Sequence, residues 1–306
     1  MVSAIVTVTA PNPSALTLDG TNAYLLDGGN GEAICIDPGP DFSSHVDALI
    51  DAAHARGCRI ATILVTHGHP DHWPASVPLA KQSGARVFAH VDSAVPHDAT
   101  LDDGERLRCG ELDIVALDAP GHTFDHLVFY EPRERALFTG DVVLGKGTVV
   151  IAPPGGAMRP YQRTLERLAS HFPEARTIYG GHGPRVDDAP AKIRAYIAHR
   201  QLRERELMAA LGTGEQTVPQ LVQRIYAEID PLLWPAAARQ LYAYLDALQA
   251  EFRVIARPLD RALTPQESAI LNPAWSKILG AANAALAQAE LGTHQEITTL
   301  ETYALA

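Results

Sequence analysis

Short apolar runs alternate with polar and turn-forming stretches over the first 180 residues, and two periodicities sort them into strands and helices. Runs at 2–9, 22–27, 33–36, 60–65, 86–89, 112–117, 127–130, 136–139 and 176–179 have the length and bounds of strands. Residues 44–56 place Val46, Leu49, Ile50 and Ala53 on one stripe, which predicts an amphipathic helix. Further helices are predicted near 74–83 and over 160–171. Such mixing implies sheets covered by helices.

The pattern changes near residue 187. A long, charged helical stretch spans 188–211, followed by Gly212-Thr213-Gly214. Two more helices are predicted at 217–229, with Thr217 as N-cap, and at 234–250. A short strand-like run, 251–256, closes this part. The expected organisation is a catalytic domain over 1–198, a small domain over 199–257 and a helical extension over 258–306. The extension carries one helical stretch near 274–291. With Ile270, Leu271, Trp275, Ile278 and Leu279 it would pack on the body or on a second subunit, so a homodimer is one expectation.

Composition narrows the function classes. The chain has 306 residues, 46% hydrophobic and 20% charged, an ordinary globular balance. A net charge of −11 argues against general affinity for nucleic acid, which needs basic surface. Cys35, Cys58 and Cys109 form no CxxC pair, so a reducing cytoplasm is the expected compartment. The N-terminal stretch lacks the basic region of a signal peptide, and no apolar run approaches membrane-spanning length.

The chemistry gathers at strand ends. Thr66-His67-Gly68-His69-Pro70-Asp71-His72-Trp73 follows the apolar run 60–65. Neutral imidazoles and carboxylates are natural ligands for a borderline divalent metal such as zinc. His67 and His69 share one face of extended backbone, so both can reach one ion. Asp71 and His72 lie past a turn and suggest a second ion. Four ligands cannot close two sites. Three more candidates follow strands and have glycine beside them: Gly121-His122, Gly140-Asp141 and Gly181-His182-Gly183.

This ordered set resembles the metallo-β-lactamase superfamily. The resemblance implies an α/β (α+β) fold, an αββα sandwich with the site at one edge. It also implies that His67, His69 and His122 bind a first metal, that Asp71, His72 and His182 bind a second, and that Asp141 bridges them. The loop Asp141-Val142-Val143-Leu144-Gly145-Lys146-Gly147-Thr148 and the segment Tyr179-Gly180-Gly181-His182-Gly183-Pro184 are similar to those of the β-lactamase-like protein 2 group. That group carries a C-terminal winged-helix-like domain, and residues 201–257 are similar in pattern. The resemblance covers about residues 15–257 and leaves the tail outside.

The implied enzyme is a hydrolase with two Zn2+ ions, Mn2+ or Fe2+ being alternatives, and a hydroxide held between them as nucleophile. Asp71 would orient that hydroxide and Asp141 would set the metal separation. True dizinc β-lactamases generally have cysteine where Asp141 stands, so β-lactam hydrolysis is not expected. Persulfide dioxygenases share THxHxDH with a single iron and remain an alternative. So do an endoribonuclease or phosphodiesterase acting on single-stranded RNA and a non-catalytic metal-stabilised binding module. Residues 199–257 hold seven arginines against seven acids and no lysine, so a small ester, thioester or lactone is favoured over RNA. Trp73, Lys146, Thr148 and Arg159 are candidate pocket residues, and His126 a candidate support behind the ligands. The remaining histidines, including His45, His90 and His199, are read as surface or packing residues.

Overall fold

The computed structural model describes residues 5–273, 275, 279, 286 and 297–306. Met1, residues 2–4 of the first expected strand, His294, and the expected 274–291 helix apart from Trp275, Leu279 and Leu286 lie outside them.

Two sheets face each other. The first has six strands in sequence order: β1 (Ile5–Thr9), β2 (Asn22–Asp27), β3 (Glu32–Ile36), β4 (Arg59–Leu64), β5 (Arg86–His90) and β6 (Ala99–Leu101). Its first three strands run antiparallel, and β3 to β6 are parallel. Parallel neighbours need a crossover. Helix α1 (Ser43–His54) links β3 to β4, and α2 (Ser76–Ser83) links β4 to β5. The second sheet comprises β7 (Arg106–Cys109), β8 (Leu112–Asp118), β9 (Leu127–Glu131), β10 (Ala136–Gly140) and β11 (Thr177–Gly180), in the order β11-β10-β9-β8-β7. Helix α3 (Met158–His171) joins β10 to its parallel neighbour β11.

The continuous apolar runs are explained by burial on both faces. In β2, Tyr24 and Leu26 join the core between the sheets, while Ala23 and Leu25 pack with Val46 and Leu49 of α1. In β9, Leu127 and Phe129 face inward, and Val128 and Tyr130 face the layer that holds Leu165 and Leu168 of α3. The result is the expected helix–sheet–sheet–helix sandwich.

The outer core of the second sheet continues into the C-terminal half. Helix α4 (Ala189–Leu211) packs on α3 and then on α5 (Val218–Ile225), while α6 (Trp234–Ala250) fills the same core through Leu241, Tyr244 and Leu245. Helix α5 begins at Thr217, whose side chain forms a reciprocal capping box with Gln220, as the N-cap reading expects. Three strands make a small sheet: β12 (Gln216–Thr217), β13 (Val254–Leu259) and β14 (Leu300–Leu305), with β14 in the middle. Thus a strand comes from the stretch expected as helical extension. It buries Leu300 and Tyr303 against the core without a regular alternation, so it does not stand out in the sequence. A seven-residue helix, α7 (Pro265–Leu271), precedes it. Trp275 and Leu279 pack with Ala152 and Ala236, so at those residues the tail lies on the body. All three cysteines are buried and free. Among the described residues no helix is long and apolar enough to cross a membrane.

Candidate metal centre

Four strands deliver the site. The segments after β4, β8, β10 and β11 carry His67 to His72, His122, Asp141 and His182 to one edge of the sandwich. All seven side chains are buried. Three groups of nitrogen and oxygen atoms converge, each within 4.8 Å: His67, His69 and His122; His67, His72 and Asp141; Asp71, His72 and His182. The seven residues singled out by the motif are therefore brought together, and the middle group shows that the outer two adjoin.

Hydrogen bonds behind the cluster fix which ring atom faces it. Asp37 accepts from Thr66 N and Thr66 Oγ1, both at 2.7 Å. Thr66 Oγ1 then accepts from His67 Nδ1 at 2.9 Å, leaving the His67 Nε2 lone pair free to point inward. Asp37 Oδ2 also accepts from His72 Nδ1 at 2.9 Å. Val150 O accepts from His122 Nδ1 at 3.0 Å, and Gly20 O from His182 Nδ1 at 3.3 Å. Thr21 Oγ1 donates to Asp71 Oδ2 at 3.0 Å. Facing the centre, His67 Nε2, His72 Nε2, His182 Nε2, Asp71 Oδ1 and Asp141 Oδ1 are buried without a hydrogen-bond partner. Orphaned acceptors are costly in an interior, and so many aimed at one point fit a cation.

Electrostatics divide the cluster. Burial pushes the pKa values of His67, His69 and His122 down, and neighbouring imidazoles reinforce this for His67 and His69, so they are neutral donors. Burial also opposes charge on His72 and His182, but Asp71 and Asp141 outweigh it and raise both. The same pairing holds Asp71 and Asp141 as carboxylates despite their burial. Asp141 stands between the groups: its carboxylate is 3.5 Å from His72 Nε2, 3.4 Å from His182 Nε2 and 3.8 Å from His122 Nε2.

Glycine makes this closeness feasible. A Cβ at Gly181 would lie 2.3 Å from Asp141 Oδ1 and 2.6 Å from His72 Cε1. Gly140 has φ +44, and a Cβ there would meet Thr66 Oγ1 at 2.6 Å.

His126 stands behind the cluster. Its Nε2 accepts from Asp141 N at 3.2 Å, and its ring stacks on His67 with centroids 4.6 Å apart. Trp73 serves both readings, because it packs on the outer core of the first sheet and also lines a groove with His69 and the exposed Phe124. The tight turn into α2 puts it beside His69 of the first group. Lys146 and Thr148 line a mostly apolar cavity of about 380 Å³ that reaches Asp141. Arg159 lines neither space. It opens α3, where Glu204 accepts from its Nη2 at 3.0 Å and Glu251 at 2.9 Å, so its charge is spent in a structural bridge.

Several contributors escaped the sequence reading. Asp37 looks like part of the turn Asp37-Pro38-Gly39-Pro40, and Thr21 carries no motif. His199, Arg200 and Gln240 belong to helices that approach the cavity only in the folded chain.

Comparison with known proteins agrees with this geometry. A family model described as the metallo-beta-lactamase superfamily matches residues 16–182, and the beta-lactamase associated winged helix domain matches residues 217–258. The Lactamase-like protein adaB of Aspergillus niger is 33% identical over 253 residues, covering 76% of this chain and 77% of the relative. A Beta-lactamase-like protein 2 homolog of Drosophila melanogaster is 31% identical over 269 residues, covering 82% and 89%. The Atrochrysone carboxyl ACP thioesterase of Claviceps purpurea is 30% identical over 236 residues, covering 73% and 72%. Among solved structures, a metallo-beta-lactamase family protein from Thermus thermophilus superposes with a TM-score of 0.69 at 24% identity, over 86% of this chain and 97% of that one.

Proposed function

The chain belongs to the metallo-beta-lactamase superfamily and is a metal-dependent hydrolase, and on that premise we propose that it cleaves a thioester of a small acyl group at a dinuclear zinc centre. The observation that carries this reading is the cavity. It begins at Asp141 and runs between the loop after β10 and the helices α4 and α6, with Leu16, Leu144, Val149, Tyr226, Ile229 and Ala237 along its walls. Such a space takes an acyl chain and offers a polynucleotide backbone little. The thioesterase name of one relative agrees with it.

The first ion would be held by His67, His69 and His122, the second by Asp71, His72 and His182, with Asp141 between. Bound there, divalent metal supplies a hydroxide at neutral pH and a Lewis acid for the carbonyl oxygen. The chain does the rest. Asp37 and Val150 O lock the ring orientations of His72 and His122. Asp71, anchored through Oδ2 to Thr21, keeps Oδ1 turned toward the centre, where it would hold the second ion and orient the attacking water. Lys146 and Thr148, exposed at the cavity, can meet an anionic part of the leaving group. Water adds across the acyl bond, the C–S bond breaks, and acid and thiol leave. Three buried, unbridged cysteines suit action in a reducing cytoplasm.

A side-by-side assay on thioesters, lactones, phosphodiesters and single-stranded RNA tests the proposal, with Asp141→Ala as control and metal analysis alongside. Thioester turnover that disappears in the variant, with about two zinc ions per chain, is expected. Faster cleavage of RNA than of any thioester would overturn the substrate class. One iron per chain with oxygen uptake would overturn the hydrolase.

A further inference from the structure

The cavity that reaches Asp141 is also lined by two residues with unpartnered donors. Arg200, on α4, is only 2% exposed. Its Nη2 donates to Val149 O at 2.7 Å and its Nη1 to Gln240 Oε1 at 3.0 Å, while the guanidinium lies 5.0 Å from the Tyr161 ring centroid. Arg200 Nε and Gln240 Nε2 are both buried and unpartnered. Among the described residues no carboxylate forms an ion pair with Arg200, whereas neighbouring Arg203 is bonded to Glu206 at 2.8 Å. Both Arg200 and Gln240 line the cavity that starts at Asp141.

A buried guanidinium without a counter-charge is costly, and buried donors in native proteins are nearly always satisfied. Two free N–H groups, one charged, beside one apolar channel match the two oxygens of a carboxylate. We propose that Arg200 and Gln240 are specificity-determining residues that bind a carboxylate at the far end of the acyl group. The preferred substrates are then half-thioesters of dicarboxylic acids, whose methylenes lie along the apolar walls. This deepens the thioesterase reading above and rests on it.

A purely structural role, tying α4 to α6 and to Val149, makes a different prediction. It leaves the enzyme indifferent to the far end of its substrate. Gln240→Glu separates the two. Glutamate keeps acceptor oxygens for Arg200 Nη1 and for Ile151 N, which donates to Gln240 Oε1 at 3.1 Å. It removes the Nε2 donor and neutralises the guanidinium.

The assay compares kcat/KM for a medium-chain ω-carboxyacyl thioester of N-acetylcysteamine with that for the unsubstituted thioester of the same length. We expect wild type to prefer the carboxylated substrate by about tenfold or more, since a buried unpaired donor discriminates at least that strongly. Gln240→Glu should abolish or reverse the preference. Arg200→Lys, which keeps the charge and drops the Nε donor, should weaken it and serves if Gln240→Glu melts early. Calorimetric titration with the matching dicarboxylic acid monoamide reads the pocket without turnover.

Thioesters cleaved with no preference, together with no monoamide binding, overturn this assignment and leave the thioesterase reading intact. Monoamide binding that Gln240→Glu abolishes, in a protein that cleaves neither thioester, supports the carboxylate pocket and overturns the thioesterase reading. A preference unchanged in both variants overturns the role of these residues.

Discussion

Asp37 organises the centre from a position that looks like a turn. It has φ +49 and holds Thr66 and His72 through three hydrogen bonds. Replacing such a support usually weakens metal binding by about 10- to 100-fold. Asp37→Ala should do so in competition with a chromophoric chelator. Asp37→Asn should do little better, because its amide group would face the His72 Nδ1–H with a donor. Gly181→Ala makes a harsher test. Its Cβ would displace Asp141 and His72, so metal content should drop to less than half of wild type, as measured by elemental analysis, while the metal-free fold melts near the wild-type temperature. The candidate ligands themselves were legible in sequence, since three histidines and an aspartate in six residues have few uses apart from a metal. Asp37 was not, because its partners lie 29 and 35 residues away and a carboxylate before Pro-Gly reads locally as turn chemistry. Arg159 misled for the opposite reason: a cation near the loop looks free until the fold brings Glu204 and Glu251 to it.

Elements differ in how plainly the chain announces them. Long apolar runs such as those of β4, β9 and β10 were readable because both faces are buried. β6 and β7 were missed: the first has three residues, and the second alternates Arg106-Leu107-Arg108-Cys109 at an edge. β14 hid in a tail that carried a helical pattern, yet it is the central strand of its sheet. Removing residues 300–306 should therefore leave β12 and β13 unpaired and lower the melting temperature, with fast amide exchange confined first to β13. At the start of α5, Thr217→Ala should cost about 1 kcal/mol in urea denaturation by removing the capping box. The bridge from α3 to α4 predicts a pH effect. Arg159 hydrogen bonds hold the pKa values of Glu204 and Glu251 below the usual carboxylate range. Depressed carboxylates stabilise the fold above the ordinary glutamate pKa of about 4.3, and that contribution is lost as pH falls through the folded values. Arg159→Met should melt below wild type near neutrality, and the two melting curves should converge as the medium is acidified past about pH 4.

At the scale of the molecule, the metal centre is an insert in a fold that has its own core. Three large apolar clusters occupy the two outer layers and the space between the sheets, and none is built from the ligands. Chelation should accordingly leave the far-ultraviolet circular dichroism intact while lowering the melting temperature by several degrees, and re-added zinc should restore it. Collapse of the spectrum would show that the ions hold the sandwich together. The cavity, by contrast, is a joint product. Its metal end is written in residues up to 182, its far wall in residues 199 to 240, and α4 carries the chain from one to the other without a break. A mutation in the second stretch can retune which substrates fit while the residues of the metal centre stay untouched. The division of labour makes the protein easy to redirect: new specificities are reached by repainting one wall, and the reaction itself never has to be reinvented.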